Sequence, residues 1–170
     1  GRSPGSPMGG IYTKNKAAKE MFITEGFFKA YTIVKTFRRP VAIVNGIGNW
    51  RSHYKDVIEG LKKNYPQLKR VIIAYDADMC YNYNVVRQAA ALGVTISKTF
   101  PLEVCVLYWN EKNGKGIDDL IYNNSDYKHL IRSIPIKEFQ VLYEKMKNEM
   151  NNDTTKEETK VIFDNLCPYN

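Results

Sequence analysis

Short, continuous runs of apolar residues, many of them β-branched, constrain the fold of this chain more than any other feature. Such runs are typical of strands that are buried on both faces, as in a parallel sheet. They lie around Ile23 and at residues 41–44, 71–74, 94–96 and 104–108.

Helical periodicity fills the intervals between these runs, at residues 27–37, 54–64 and 83–92. In the first helix, Phe28 and Tyr31 are expected to lie on the same side as Ile33 and Val34. Gly93 is expected to end the third helix as its C′ residue. This alternation predicts right-handed crossovers and a three-layer α/β domain with a mainly parallel sheet of about four or five strands.

The length of 170 residues suggests one domain with an appendage. Residues 1–10 are typical of a remnant left by expression, so we exclude them from the fold prediction. Residues 11–134 are predicted to form the α/β domain. Residues 135–170 are predicted to form a C-terminal helical appendage, with one amphipathic helix at 137–150 and an apolar patch at 161–163.

The composition favours a polyanionic partner over a membrane. The net charge is +7, and many basic residues lie between the first two acidic clusters, although a solvated basic surface is the alternative interpretation. No run of about 18 apolar residues occurs, so no membrane partner is expected. Cys80, Cys105 and Cys167 match neither a zinc spacing nor a disulfide framework, which favours free thiols and a cytoplasmic location.

Acidic residues form three clusters along the chain, at Glu25, at Asp76 with Asp78, and at Asp118 with Asp119. The first two follow predicted strands, and parallel strand ends meet at one edge of a sheet. Asp76 and Asp78 are two residues apart and would face the same side of an extended segment. Each cluster has a simpler interpretation, because an acidic residue also caps a helix or occupies a turn.

Convergence of these carboxylates would require a cation. Two charges about 4 Å apart repel by roughly 4 kcal/mol at an effective dielectric of 20. A divalent ion removes this cost, and oxygen-only ligands favour Mg²⁺ or Mn²⁺.

One glycine follows Glu25 directly, and two more follow the predicted strand at residues 41–44. Gly26 would allow a ligand to approach the backbone closely. Gly46 and Gly48 belong to a turn that ends at Trp50, and they lack both the dinucleotide fingerprint and the Walker pattern. A phosphate contact and a simple tight turn are both compatible with this segment.

Five elements of the sequence occur together in the order found in one known superfamily. They are the strand ending in Glu25-Gly26, the pair Lys29-Ala30, the turn at 46–50, the strand ending at 76–78 and the segment 115–121. The chain resembles the Toprim superfamily. It is most similar to the Toprim-like domain of primase-type replication proteins from phages, plasmids and conjugative elements.

The resemblance implies a Rossmann-type, Toprim-like fold and a bound Mg²⁺ or Mn²⁺. Glu25 is then the acid or base, while Lys29 contacts a phosphate or pairs with Glu25. The expected metal ligands are Asp76, Asp78, Asp118 and Asp119. The residues expected to contact phosphate or nucleic acid are Gly26, Gly46, Gly48, Arg51 and Lys115.

Two positions depart from the primase pattern. Lys29 and Gly116 stand where bacterial primases carry acids, so the site has less negative charge. This departure weakens the expectation of a site that holds several metal ions.

We therefore expect an enzyme that transfers nucleotides during primer synthesis in a mobile-element replication protein. Its partners would be DNA or RNA, nucleotide triphosphates, and a helicase or zinc-binding domain. The basic segment from Arg38 to Arg70 would hold the backbone, and Trp50, Tyr81, Tyr83 and Trp109 would be available to stack bases. Two alternatives stay open, a metal-dependent nuclease and a non-catalytic binding or scaffolding module.

Overall fold

A computed structural model describes residues 8–167 of the chain. Six strands form one mixed sheet in the order β1-β3-β2-β4-β5-β6. The strands are β1 (Met8–Ile11), β2 (Glu20–Glu25), β3 (Val41–Val44), β4 (Arg70–Ile73), β5 (Glu103–Tyr108) and β6 (Arg132–Pro135). The four central strands are parallel, and β1 and β6 pair antiparallel at the two edges.

Helices cover both faces of the sheet. They are α1 (Phe27–Phe37), α2 (Tyr54–Asn64), α3 (Tyr83–Thr99), α4 (Ile117–Asn123), α5 (Tyr127–Leu130), α6 (Ile136–Glu149) and α7 (Lys156–Leu166). Alternate residues of the parallel strands point to opposite faces. In β2, Phe22 packs with α1 and α4, whereas Met21 and Ile23 pack with α2, α3 and α6. The chain is therefore an α/β protein with a core on each side of its sheet.

The segment predicted as a strand at residues 94–96 is part of α3, so that prediction was wrong. The buried positions of α3 continue at helical spacing through Leu92 and Ile96, and this periodicity outweighs the β-branched residues at 94–96. Gly93 is not a C′ residue. A Cβ there would lie 2.3 Å from Cδ1 of Ile136, so the glycine allows α6 to approach α3 closely.

The two edge strands were not predicted. In β6, Ile134 is the buried residue, so the segment carries little apolar signal. In β1, Met8 is buried and Gly9 and Gly10 pair with β3, so excluding these residues from the fold was wrong. Residues 1–7 of the same predicted remnant lie outside the described part of the chain.

The C-terminal helices bury apolar residues against the sheet layer. Phe139, Leu142 and Met146 of α6 belong to the core that α3 and β5 also form. Phe163 of α7 packs on Tyr108, with ring centroids 4.9 Å apart. Within residues 8–167, no helix is long and apolar enough to cross a membrane.

Candidate active site

The ends of β2 and β4 place the first two acidic clusters at the same edge of the sheet. β2 runs parallel to both of its neighbours, and Glu25 lies opposite Val44, the last residue of β3. The Ala74 N–H donates to the Ile23 carbonyl at 2.8 Å, and the Thr24 hydroxyl donates to the Ala74 carbonyl at 2.8 Å. These bonds extend the pairing of β2 and β4 to the point where Glu25 and the segment after Tyr75 leave the sheet.

A short loop brings the third acidic cluster to the second. The Trp109 indole N–H donates to the Gly114 carbonyl at 2.7 Å, which fixes the loop after β5. Gly114 has φ 146°, a conformation that side chains other than glycine rarely adopt. The Ala77 N–H then donates to the Lys115 carbonyl at 2.7 Å, so the start of α4 lies against the segment of Asp76.

Lys29 lies between the acids. Its Nζ is 2.9 Å from Oδ1 of Asp76, and both side chains are largely shielded from solvent. Burial lowers the pKa of Lys29, but the hydrogen bond and charge of Asp76, with the charges of Glu25 and Asp118, raise it above its ordinary value. Lys29 therefore remains protonated and neutralises part of the local negative charge.

Gly116 is the point at which these side chains meet. A Cβ at this position would lie 2.6 Å from Oδ1 of Asp118, 2.8 Å from Cε of Lys29 and 3.4 Å from Oδ1 of Asp76. Three residues from separate elements thus surround one backbone position. An additional acid at this position would have no room beside Lys29 and Asp118.

The partner of Lys29 differs from one that the sequence suggested. Among the described residues, the lysine forms its ion pair with Asp76, and Glu25 contributes to its pKa only through a longer-range charge. The reason is geometric, since Lys29 lies in the first turn of α1 and extends across the edge toward the end of β4. The expectation of a Lys29–Glu25 pair was therefore wrong.

Two carboxylate oxygens in this region have no hydrogen-bond partner among residues 8–167. They are Oδ1 of Asp78 and Oδ1 of Asp118, and both atoms are buried. Burial and the charge of Asp76 raise the pKa of Asp78, although Asn82, Lys115 and Lys29 act in the opposite direction. A buried acceptor without a partner is costly, so both oxygens are suited to receive a cation or a donor from a ligand.

The acids have the right donor atoms for a divalent cation, but their present spacing does not form a complete site. Asp76, Asp78 and Asp118 offer oxygen donors of the kind that Mg²⁺ prefers. Between residues 8 and 167, no three acidic, histidine or cysteine side chains are arranged closely enough to form a ready ligand set. A metal ion bound by these acids would require the release of Asp76 from Lys29 and a rearrangement of the side chains.

Other predicted site residues lie at the edge without joining this group. Asp119 is exposed. Gly46, with φ 90°, and Gly48 belong to one turn. The Tyr75 hydroxyl donates to the Ile47 carbonyl of this turn at 3.2 Å. Arg51 packs over the Trp50 ring at 4.4 Å and donates to Gln88 of α3 at 3.2 Å, which directs it away from the acids.

Of the four aromatic residues that the sequence suggested for base stacking, Tyr81 and Tyr83 are partly exposed, and the backbone N–H of Tyr81 donates to the Asp78 carbonyl at 3.0 Å. Trp50 and Trp109 are buried and are not available to stack bases. Phe27, Phe28 and Tyr31 are 61%, 79% and 53% exposed, and the three flank Lys29 on α1. The expectation that Phe28 and Tyr31 face the core was wrong, because Ala30 and Ile33 form the buried stripe. Helical spacing from Ala30 would have indicated the exposed side.

Several basic residues between the first two acidic clusters lie at the end of the sheet opposite the acids. Lys35 and Arg38 lie at the end of α1, Arg39 follows them, and Arg70 begins β4. This is the amino end of the parallel strands, opposite the acids. These residues are therefore not placed to hold a backbone at the acidic edge.

Comparison with known families adds a classification. A family model described as a domain of unknown function, DUF3854, matches residues 12–128. The chain belongs to the DUF3854 family. No curated protein and no solved structure matches the chain.

The DUF3854 segment contains every predicted site residue, from Glu25 to Asp119. It ends within α5, so β6, α6 and α7 follow it. Ile136 of α6 nevertheless contacts the position of Gly93 in the segment. The later helices therefore support the same sheet that carries the acids.

Proposed function

We propose that this chain is a Toprim-like, Rossmann-type domain that binds Mg²⁺ and acts on nucleic acid in a mobile-element replication protein. The reaction is nucleotidyl transfer, as in primer synthesis. Support comes from the order of the five sequence elements and from the parallel centre of the sheet. The observation that carries the proposal is the meeting of Asp76 and Asp118 around Lys29, within reach of the charge of Glu25.

Glu25 moves the proton in this scheme. It is partly exposed at the end of β2, where a substrate can approach from solvent. It takes a proton from the attacking 3′ oxygen or returns one to the leaving oxygen. Gly26, with φ 85° and no side chain, leaves this approach open.

Lys29 and the first turn of α1 bind the phosphate. Gly26 supplies no side-chain cap, so the first N–H groups of α1 are available to an anion. A phosphate oxygen competes with Asp76 for the Lys29 ammonium. When the phosphate binds, Asp76 is released from its ion pair and becomes available as a ligand.

Asp76, Asp78 and Asp118 would hold the metal ion, which would offset the negative charge of the phosphoryl group. Without it, the two unpartnered oxygens of Asp78 and Asp118 remain uncompensated. Lys115 lies near enough to Asp78 to affect its pKa and adds positive charge for the substrate backbone.

Single-stranded nucleic acid is the substrate that the surface beside the acids accommodates best. Phe27 stacks near Tyr31 at 6.3 Å and meets Phe28 edge-to-face at 6.2 Å. Large exposed aromatic rings next to a phosphate site are suited to stack on unpaired bases. A duplex would keep its bases away from these rings.

A nuclease is the second candidate, and the Lys29–Asp76 pair favours it. The lysine reduces the negative charge available for metals, which suits one ion better than two. The same acids would then act with water as the nucleophile. In the third candidate, a binding or scaffolding module, Lys29 replaces the metal permanently.

Incubation with an end-labelled single-stranded oligonucleotide and Mg²⁺, with and without nucleotide triphosphates, separates these candidates. Extension that requires triphosphates supports nucleotidyl transfer, whereas shortening supports the nuclease. Either activity should fall by at least a hundredfold in Asp76→Asn. An unchanged substrate in every condition would reject both catalytic assignments.

Asp126→Asn provides the matched control. Asp126 is exposed at the start of α5, and the substitution removes the same charge from a surface aspartate. Its activity should equal that of the parent chain. Equal losses in both variants would indicate that charge alone, and not the proposed site, explains the effect.

A further inference from the structure

A second cavity lies at the end of the sheet opposite the acids. It has a volume of about 660 Å³ and is lined by Tyr12, Thr13, Lys14, Asn15, Val34, Lys35 and Arg38. It contains three basic residues and no acidic one. α1 separates it from the acidic edge, because a rise of 1.5 Å for each residue places Arg38 about 18 Å along the helix from Gly26.

The part of the chain that the structure describes offers no ion-pair partner to the positive charges of this cavity. Among residues 8–167, no carboxylate forms an ion pair with Lys14, Lys35 or Arg38. Nearby Arg39 differs, since it lies 3.7 Å from Glu20. Three unpaired cations around one concave surface repel one another, and an anion removes this repulsion.

Arg38 adopts a backbone conformation that is unfavourable for residues other than glycine. It caps the end of α1 with φ 55° and ψ 45°, in the left-handed region. Glycine is preferred at such a position, and other residues adopt the conformation at a cost. The helix dipole favours a cation in the last turn, but it does not account for an arginine in this conformation. A left-handed residue other than glycine on a cavity wall is compatible with a role for its side chain in that cavity.

The opposite wall of the cavity is held in place. The Thr13 N–H donates to the Tyr65 hydroxyl at 2.5 Å, and this hydroxyl donates to the Thr13 carbonyl at 2.8 Å. The rings of Tyr12 and Tyr65 lie 6.0 Å apart. Lys14 is therefore presented from an anchored loop toward the end of α1.

We propose that this cavity binds the phosphate of a nucleotide, either free or within a nucleic-acid strand. Lys14, Lys35 and Arg38 bind the phosphate oxygens. Tyr12 and Val34 provide the apolar surface for the base or sugar. This proposal does not depend on the metal site or on catalysis.

Calorimetric titration with ATP in the presence of EDTA tests the free nucleotide, because this cavity needs no metal. A fluorescent oligothymidine under the same conditions tests the strand. Arg38→Gly removes the cation and also relieves the left-handed strain. We expect affinity for at least one probe to fall by tenfold or more, with a melting temperature that is equal or higher.

Lys14→Gln with Lys35→Gln provides a second variant whose backbone is unchanged, and it should lose affinity for the same probe. For the strand, each lost phosphate contact should also lower the salt dependence by about one unit of slope. Lys147→Gln on α6 removes an exposed charge from the other face and should bind normally. Absence of binding by the parent chain, or affinities within twofold for both cavity variants, would overturn the proposal.

Discussion

The Nζ of Lys29 lies 2.9 Å from Oδ1 of Asp76, across the edge at which β2 and β4 end. A protein cation thus lies close to the carboxylate that the Toprim-like interpretation assigns to Mg²⁺. Substrate phosphate and metal are therefore linked in this account, because the phosphate draws Lys29 away and frees Asp76. Binding of either ligand should strengthen binding of the other.

Lys29→Met should tighten Mg²⁺ binding while it weakens catalysis. Methionine preserves much of the side-chain volume but removes the charge that competes for Asp76. We expect Mg²⁺ affinity to rise by about tenfold, which corresponds to roughly 1.4 kcal/mol. Calorimetry measures this change, and Lys147→Met is the control. Weaker Mg²⁺ binding in Lys29→Met would contradict the competition.

Asp78→Asn should stabilise the fold at neutral pH. The folded state raises the pKa of Asp78 above its ordinary value of 3.8, so it holds the proton more tightly than the unfolded state does. The wild-type protein therefore becomes more stable as the pH falls through the folded-state pKa of Asp78. Above that pKa, the charged carboxylate destabilises the folded state by its full amount. Asparagine should add about 1 kcal/mol at pH 7.5.

Urea unfolding of both proteins at pH 7.5 and at pH 4 measures this effect. The advantage of Asp78→Asn should shrink at the lower pH, where the wild-type carboxyl is more protonated. Equal stability at pH 7.5 would show that the buried carboxylate carries no cost in the folded protein.

Phe28→Ala should weaken binding of single-stranded DNA. Phe28 is 79% exposed, and removal of one stacking ring costs about 1–3 kcal/mol. This cost corresponds to a loss of about fivefold to 150-fold in affinity, and Phe28→Tyr should retain most of the affinity. Val141→Ala, which truncates an exposed apolar residue on α6, is the control. Fluorescence anisotropy with oligothymidine measures all three, and normal affinity for Phe28→Ala would exclude stacking by this residue.

Gly114→Ala should destabilise the loop that joins the second and third acidic clusters. Its φ is 146°, and a Cβ would lie 2.5 Å from the backbone nitrogen of Leu120. We expect a loss of about 2–3 kcal/mol in the free energy of unfolding. Gly9→Ala is a matched control, because nothing lies within 4 Å of a Cβ at that position. Thermal unfolding compares the two, and equal stability would show that the loop tolerates a side chain.

Local patterns were sufficient to predict the centre of the sheet, because its strands are buried on both faces. They were not sufficient for β6, where Ile134 is the only buried residue of the strand. The strand expected at 94–96 was wrong because the helical spacing of the buried residues Leu92 and Ile96 continues through this β-branched segment. The need for glycine at position 93 was not predictable, since the side chain of Ile136, which is distant in sequence, leaves no space for a Cβ there.

The acidic edge was partly predictable for a related reason. Parallel strands place Glu25 and Asp76 at the same edge of the sheet, and the two are close because β2 and β4 are neighbouring strands. The choice of Asp76 as the partner of Lys29 depends on side-chain reach across the edge, and spacing along the chain does not contain that information. The exposed position of Phe28 was available from the sequence, because helical spacing places it outside the stripe of Ala30 and Ile33.

Calorimetric titration of Mg²⁺ into the parent chain and into Asp76→Ala/Asp78→Ala tests the metal site at the acidic edge. We predict saturable binding to the parent that is lost in the double variant, with both proteins folded by circular dichroism. Identical or negligible heats for the two proteins would contradict a metal site at this edge.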